Sequence, residues 1–152
     1  MLFGTTTAAE ALNRVLTEVD VDPTALTAVD LFPVGADQIL GPLALTLAEK
    51  ITEHFRQQVA SDPAAYEPLL AWSLNNLSVR LAEAGRRDEA LTVIQDAVTI
   101  YRRLAAADPA AYEPDLATSL NNLSNRLADT GRKDESERAS REASELGTHG
   151  AQ

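Results

Sequence analysis

Apolar side chains recur along this chain at spacings of three and four residues, which places them on one face of an α-helix. One stripe consists of four leucines: Leu70, Leu74, Leu77 and Leu81. Pro68 lies just before the stripe, and Gly85 follows it. Proline is tolerated in the first turn of a helix, and glycine suits the left-handed position at a helix end. The pattern therefore predicts a helix that begins near Pro68 and ends before Gly85.

A second apolar stripe predicts another helix, from about Asp88 to Ala107. Its apolar face contains six residues: Ala90, Leu91, Ile94, Val98, Tyr101 and Leu104. The pair Asp108-Pro109 closes this helix, because a residue before proline avoids the helical region. The two stripes together describe a helix pair.

The helix pair is repeated along the chain. Residues 55–89 align without a gap to residues 101–135, and 24 of the 35 aligned positions are identical, with an offset of 46 residues. The second copy has its own leucine stripe, formed by Leu116, Leu120, Leu123 and Leu127. Neither helix of a pair can bury its stripe alone, whereas stacked pairs can. We therefore expect a solenoid.

The run from Ser73 to Leu77, followed by Leu81-Ala82, Gly85 and Asp88 to Leu91, resembles the tetratricopeptide repeat. It is most similar to the long variety found in kinesin light chains and in many bacterial signalling proteins. The unit of 46 residues exceeds the usual length of about 34. The resemblance implies an all-α fold, a right-handed α-solenoid of helix-turn-helix repeats with an N-terminal helical cap.

The repeats account for residues 41–146. Residues 43–61 align with the second helix of an earlier, partial repeat, residues 63–107 form a full repeat, and residues 109–146 form a full or terminal one. Residues 1–40 are predicted to form the cap, with a helix whose apolar face carries Leu12, Val15, Leu16 and Val19. The last repeat helix is polar, as a solenoid terminus requires. Residues 147–152 are predicted to be a disordered tail.

Composition narrows the functions that the chain could have. The formal net charge of −10 disfavours nucleic acid and anionic membrane surfaces as partners. The chain has no cysteine and only two histidines, so disulfides and the usual metal sites are not expected. No apolar run reaches the length of a membrane span, and no signal peptide is recognised. We expect a cytoplasmic protein without a cofactor and without enzymatic activity.

The asparagine pairs are the main candidates for binding. The resemblance implies that Asn76 and Asn122 face a concave groove, where their amides hydrogen-bond a peptide backbone; Asn75 and Asn121 are their neighbours. In the alternative interpretation, these amides brace the packing between repeats. The same register implies four further groove residues: Trp72, Val79, Thr118 and Asn125. Trp72 is either an anchor for a partner or packs beneath the N-terminal cap.

Two functions follow from this reading. The first is a protein–protein interaction module, an adaptor or scaffold that binds a peptide or a partner protein in the groove. The alternative is a self-association or regulatory arm of a larger signalling assembly, in which the chain forms a homo-oligomer.

Overall fold

A computed structural model describes residues 37–149 of the chain. This part contains five helices and no β-strand: α1 (Asp37–Val59), α2 (Pro63–Glu83), α3 (Arg87–Ala107), α4 (Pro109–Asp129) and α5 (Lys133–His149). Each helix packs on the next one along the chain, and α2 also packs on α4. The predicted all-α array of helix pairs is confirmed.

The helices that open the two repeats begin earlier than predicted. Helix α2 starts at Pro63, so Pro68 lies inside the helix and the expectation of a start near Pro68 is wrong. The cause is the residue before it: the Asp62 side chain accepts a hydrogen bond from the Ala65 N–H at 3.2 Å and caps the helix. Asp108 caps α4 in the same way, through the backbone N–H of Ala111. The stabilisation from a good N-cap and a proline at the first helical position exceeds the cost of the one hydrogen bond that an internal proline removes.

The predicted glycine ends are confirmed. Gly85 and Gly131 have φ angles of +79° and +80°, the left-handed region that glycine enters without steric cost. At the first of these ends, the Gly85 N–H donates a hydrogen bond to the Ala82 carbonyl at 3.0 Å. The Arg86 N–H donates another to the Leu81 carbonyl at 2.8 Å. This pair of bonds satisfies the last carbonyls of α2 and turns the chain into α3.

The predicted stripes form the core. Leu74, Ile94 and Leu120 are buried completely or nearly so, and Tyr101 is only 4% exposed. Of the predicted stripe residues, Leu104 and Leu123 are half-buried. Leu70 and Leu74 of α2 share one core cluster with Ile94 of α3. Burial of these side chains is the main source of stability for an array of this kind, because each buried leucine or isoleucine contributes about 2 kcal/mol.

Helix α1 takes the position of a second helix that packs against the first full repeat. Its Phe55 is 3% exposed and lies in a core cluster with Leu70 and Leu74, and one repeat later Tyr101 lies in a cluster with the equivalent Leu116 and Leu120. At the other end, α5 buries a narrow strip of small side chains, Ala139 and Ala143, while Glu137 and Ser140 face solvent. The predicted cap of residues 1–40 lies outside the described residues except for the start of α1. The predicted tail overlaps the last turn of α5 and otherwise lies outside them.

Candidate peptide-binding groove

The first helices of the two repeats, α2 and α4, lie side by side. Their backbones pack directly on each other, whereas α3 and α5 are joined through long side chains, with Arg102 and Glu142 2.7 Å apart. The resemblance to the tetratricopeptide repeat implies that α2 and α4 line the inner side of the array. Each of these helices turns one face away from the core. We call this surface the groove face; it is formed by Leu69, Trp72, Asn76 and Val79 of α2 and by Asp115, Thr118, Asn122 and Asn125 of α4.

Asn75 and Asn122 join the two repeats. The Asn75 side-chain oxygen accepts a hydrogen bond from the Asn122 amide and another from the Ser119 hydroxyl, both at 3.1 Å. Both asparagines are half-buried, and Ser119 is only 1% exposed. The two asparagine pairs are therefore joined by a hydrogen bond between Asn75, the first residue of one pair, and Asn122, the second residue of the other.

The asparagines at equivalent positions of the two repeats have different surroundings. Asn76 is half-buried and its side chain makes no hydrogen bond within residues 37–149, although it occupies the same position in its repeat as Asn122. Asn121 is exposed, as is Asn125 one turn further along α4. Of the asparagines predicted to bind a partner, Asn76 thus has an unused amide, whereas the Asn122 amide already donates to Asn75.

The groove face is apolar on α2 and polar on α4. Trp72 and Val79 are half-buried, and their equivalents in the second repeat are the exposed Thr118 and Asn125. The Thr118 hydroxyl donates to a carbonyl of its own helix, that of Pro114, at 3.0 Å. The groove face thus offers aromatic and aliphatic surface on one wall and hydroxyl and amide groups on the other.

Leu69 was not predicted as a candidate. It is 42% exposed, the only exposed large hydrophobic side chain among the described residues. It lies one turn before Trp72, and its equivalent in the second repeat is Asp115. That exchange of leucine for aspartate was visible in the repeat alignment and could have identified the position.

Comparison with known families agrees with this geometry. The sequence model of the tetratricopeptide repeat matches residues 70–110 and again residues 116–147, one match for each helix pair. The chain belongs to the tetratricopeptide repeat family. Repeats of this family generally mediate protein–protein interactions. A search of curated proteins found no match to the chain.

One arginine at each tetratricopeptide turn is paired within the array. Arg86 contacts Glu89 and reaches back to Glu49 of α1, both within 2.7 Å, and Arg132 contacts Glu135 in the next repeat. Hydrogen bonds from the arginines lower the pKa of Glu89 and of Glu135 below the usual range. These pairs are exposed, so they orient the turns and contribute little stability.

No group of three potential metal ligands occurs among residues 37–149. The ring of His54 packs edge-on against the ring of Phe55, with centroids 5.6 Å apart, and is half-buried. No helix in the described range is both long and apolar enough to cross a membrane.

Proposed function

We propose that the groove face binds an extended segment of a partner protein. The observation that supports this proposal is the combination found on α2, where the half-buried Trp72 and Val79 flank an asparagine amide, Asn76, without a hydrogen bond in the described part of the chain. An amide supplies one donor and one acceptor, which match the carbonyl and N–H groups of a peptide unit. Tryptophan supplies a large contact area of the kind that dominates binding energy.

The two asparagines at equivalent positions are not expected to contribute equally. A peptide that pairs with Asn122 has to compete with the bond to Asn75, whereas a peptide that pairs with Asn76 displaces only water. We therefore assign the main backbone contact to Asn76, and a secondary one to Thr118 and Asn125 on the polar wall. Because the groove face spans two repeats, the affinity for one short peptide is expected to be about micromolar. The chain then works as a cytoplasmic adaptor or scaffold and not as an enzyme.

The test is a random peptide library selected on the full chain, with dissociation constants of the selected peptides measured by the fluorescence of Trp72, the only tryptophan. Asn76→Ala is expected to weaken binding about fivefold, the value of one net hydrogen bond. Thr92→Ala, an exposed position on the outer surface of α3, is the matched control and should leave binding unchanged. Equal affinity of the two variants for every selected peptide would contradict the proposal.

The bond between Asn75 and Asn122 supports a second candidate function, in which these amides brace the packing between repeats instead of binding a partner. In that case the array is a self-association or regulatory arm. Sedimentation of the full chain tests this candidate: a mass that rises with concentration supports it, and a monomer at all concentrations excludes it.

A further inference from the structure

The charge of the groove face comes from a single residue. Asp115 is the charged member of the set of side chains that define this surface. It is exposed, and its carboxylate makes no ion pair and no hydrogen bond within residues 37–149. By contrast, the carboxylate of Glu83 at the end of α2 lies 3.0 Å from the guanidinium of Arg80. The Asp115 carboxylate is therefore available to a ligand, whereas that of Glu83 is already paired.

The register of α2 and α4 brings Trp72 close to Asp115. The two helices run in the same direction, because the turns before and after α3 each reverse the chain. The Ser119 hydroxyl of α4 donates to the Asn75 side chain of α2 at 3.1 Å, and this bond fixes the register. One helical turn earlier stand Trp72 on α2 and Asp115 on α4. The same step along two helices that run in one direction keeps their residues adjacent, so the indole and the carboxylate belong to one patch.

A carboxylate beside an indole ring has the chemistry of a cation site. The face of the indole carries negative potential and attracts a lysine or arginine side chain that lies within about 6 Å of the ring centroid. Trp72 is half-buried, and no other ring or cation contacts its indole within the part of the chain that the structure describes. The formal net charge of −10 adds a long-range attraction for cationic partners.

We propose that the partner segment presents a lysine or arginine whose side chain crosses the Trp72 ring and whose charge pairs with Asp115. This inference rests on the proposed function, since it names the chemistry of the segment that the groove face binds. An acidic segment is rejected at the same place, because its charge repels the unpaired carboxylate of Asp115.

The first repeat adds an apolar requirement to the cation. Leu69 stands where the second repeat has Asp115, and it is exposed and apolar. Packed helices are about 8–10 Å apart, and side chains two residues apart in an extended segment point to the same side at a distance of about 7 Å. We therefore expect the segment to carry an apolar residue and a basic residue with one residue between them.

The test compares peptides that differ only in charge. Random peptides are selected on the full chain, and the dissociation constants of the selected peptides are measured by the fluorescence of Trp72. The arginine of a selected peptide is then replaced by citrulline, or its lysine by acetyllysine, which keeps the length of the side chain and removes its charge. The neutral peptide is expected to bind about tenfold more weakly, the combined value of an exposed ion pair and a cation–π contact.

A pair of variants assigns the loss to Asp115. Asp115→Asn should weaken binding of the charged peptide about threefold and leave binding of the neutral peptide unchanged. Asp96→Asn makes the same change in net charge at an exposed position one turn after Thr92 on α3, and it is the matched control. It should leave the binding of both peptides unchanged, with circular dichroism showing that both variants keep their helices. Equal dissociation constants of the two variants for the charged peptides would overturn the inference.

The Asn76→Ala variant separates a failure of this inference from a failure of the proposed function. If Asn76→Ala weakens binding and Asp115→Asn does not, the groove face binds peptides without a cation, and only this inference is overturned. Selected peptides that lack a basic residue overturn it as well. If both variants bind every selected peptide as the wild type does, or if no peptide is selected, the proposed function fails together with this inference. A sedimentation mass that rises with concentration in the wild type but not in Asp115→Asn means that a second copy of the chain supplies the cation, and overturns the assignment to a separate partner.

Discussion

The hydrogen bonds that Asn75 accepts from the next repeat lead to a prediction, which compares Asn75 with Asn121, the asparagine at the equivalent position of that repeat. Asn75→Ala removes the acceptor for both Asn122 and Ser119, whereas Asn121→Ala, at the same position of the next repeat, removes an exposed side chain without such bonds. Each substitution replaces asparagine by alanine in the middle of a helix, which gains roughly 0.5 kcal/mol of helix propensity in both cases. The difference between the two variants therefore isolates the inter-repeat bonds.

The magnitude follows from the surroundings of the two donors. A hydrogen bond contributes about 0.5–1.5 kcal/mol net, and a buried donor left unpaired costs more. Ser119 is almost completely buried, but its hydroxyl can turn to a carbonyl of its own helix, as the equivalent Ser73 does toward Leu70 at 2.9 Å. Asn122 is half-buried and regains part of its bond from water. We expect Asn75→Ala to be less stable than Asn121→Ala by about 1–2 kcal/mol.

The assay is urea unfolding followed by circular dichroism at equilibrium, with the free energy of unfolding compared between the two variants. Asn75→Asp retains an acceptor oxygen at this position and should recover most of the loss. If Asn75→Ala and Asn121→Ala unfold with the same free energy, the bonds between the repeats contribute nothing and the bracing interpretation is refuted.

Two further predictions concern the turns and the core. Gly85→Ala should lower the free energy of unfolding by about 1 kcal/mol. The cause is the φ of +79° alone, since no neighbouring atom lies within 4 Å of an added Cβ. Gly85→Asn should lower the free energy of unfolding by less, and equal losses in the two variants would point to a different cause. Burial raises the pKa of Tyr101, so its contribution to stability is fully present below the pKa of about 10 in the unfolded chain and is lost as the pH rises above it. Urea unfolding from neutral to alkaline pH should show a steeper loss in the wild type than in Tyr101→Phe, and parallel curves would contradict this assignment.

The repeat made most of the fold predictable. Two gapless copies with the same stripes determine which faces are buried, and residues such as Ile94 and Leu120 lie in the core as the spacing predicts. The predicted start of α2 near Pro68 is wrong because the Asp62-Pro63 pair is the stronger signal for a helix start. Local capping geometry decides such a boundary, and apolar spacing does not report it.

The groove was harder to predict than the fold. The family resemblance treats Asn76 and Asn122 as equivalent, but Asn122 has a neighbouring asparagine to bond and Asn76 has none in the described residues. Asn76 and Asn122 differ because their repeats occupy different positions in the array. The motif of a single repeat carries no information about that position. Whether either residue contacts a partner stays a prediction, as does the kinesin light chain-like subtype.

Asp108 has a mechanical consequence for the whole array. This one residue ends α3, through its N–H bond to the Leu104 carbonyl, and caps the start of α4 with its side chain. Because no spare residue separates the two helices, a pulling force or a thermal fluctuation that frays one helix end also strips the cap from its neighbour. The two repeats should therefore unfold together in one cooperative transition, and not one after the other as independent units.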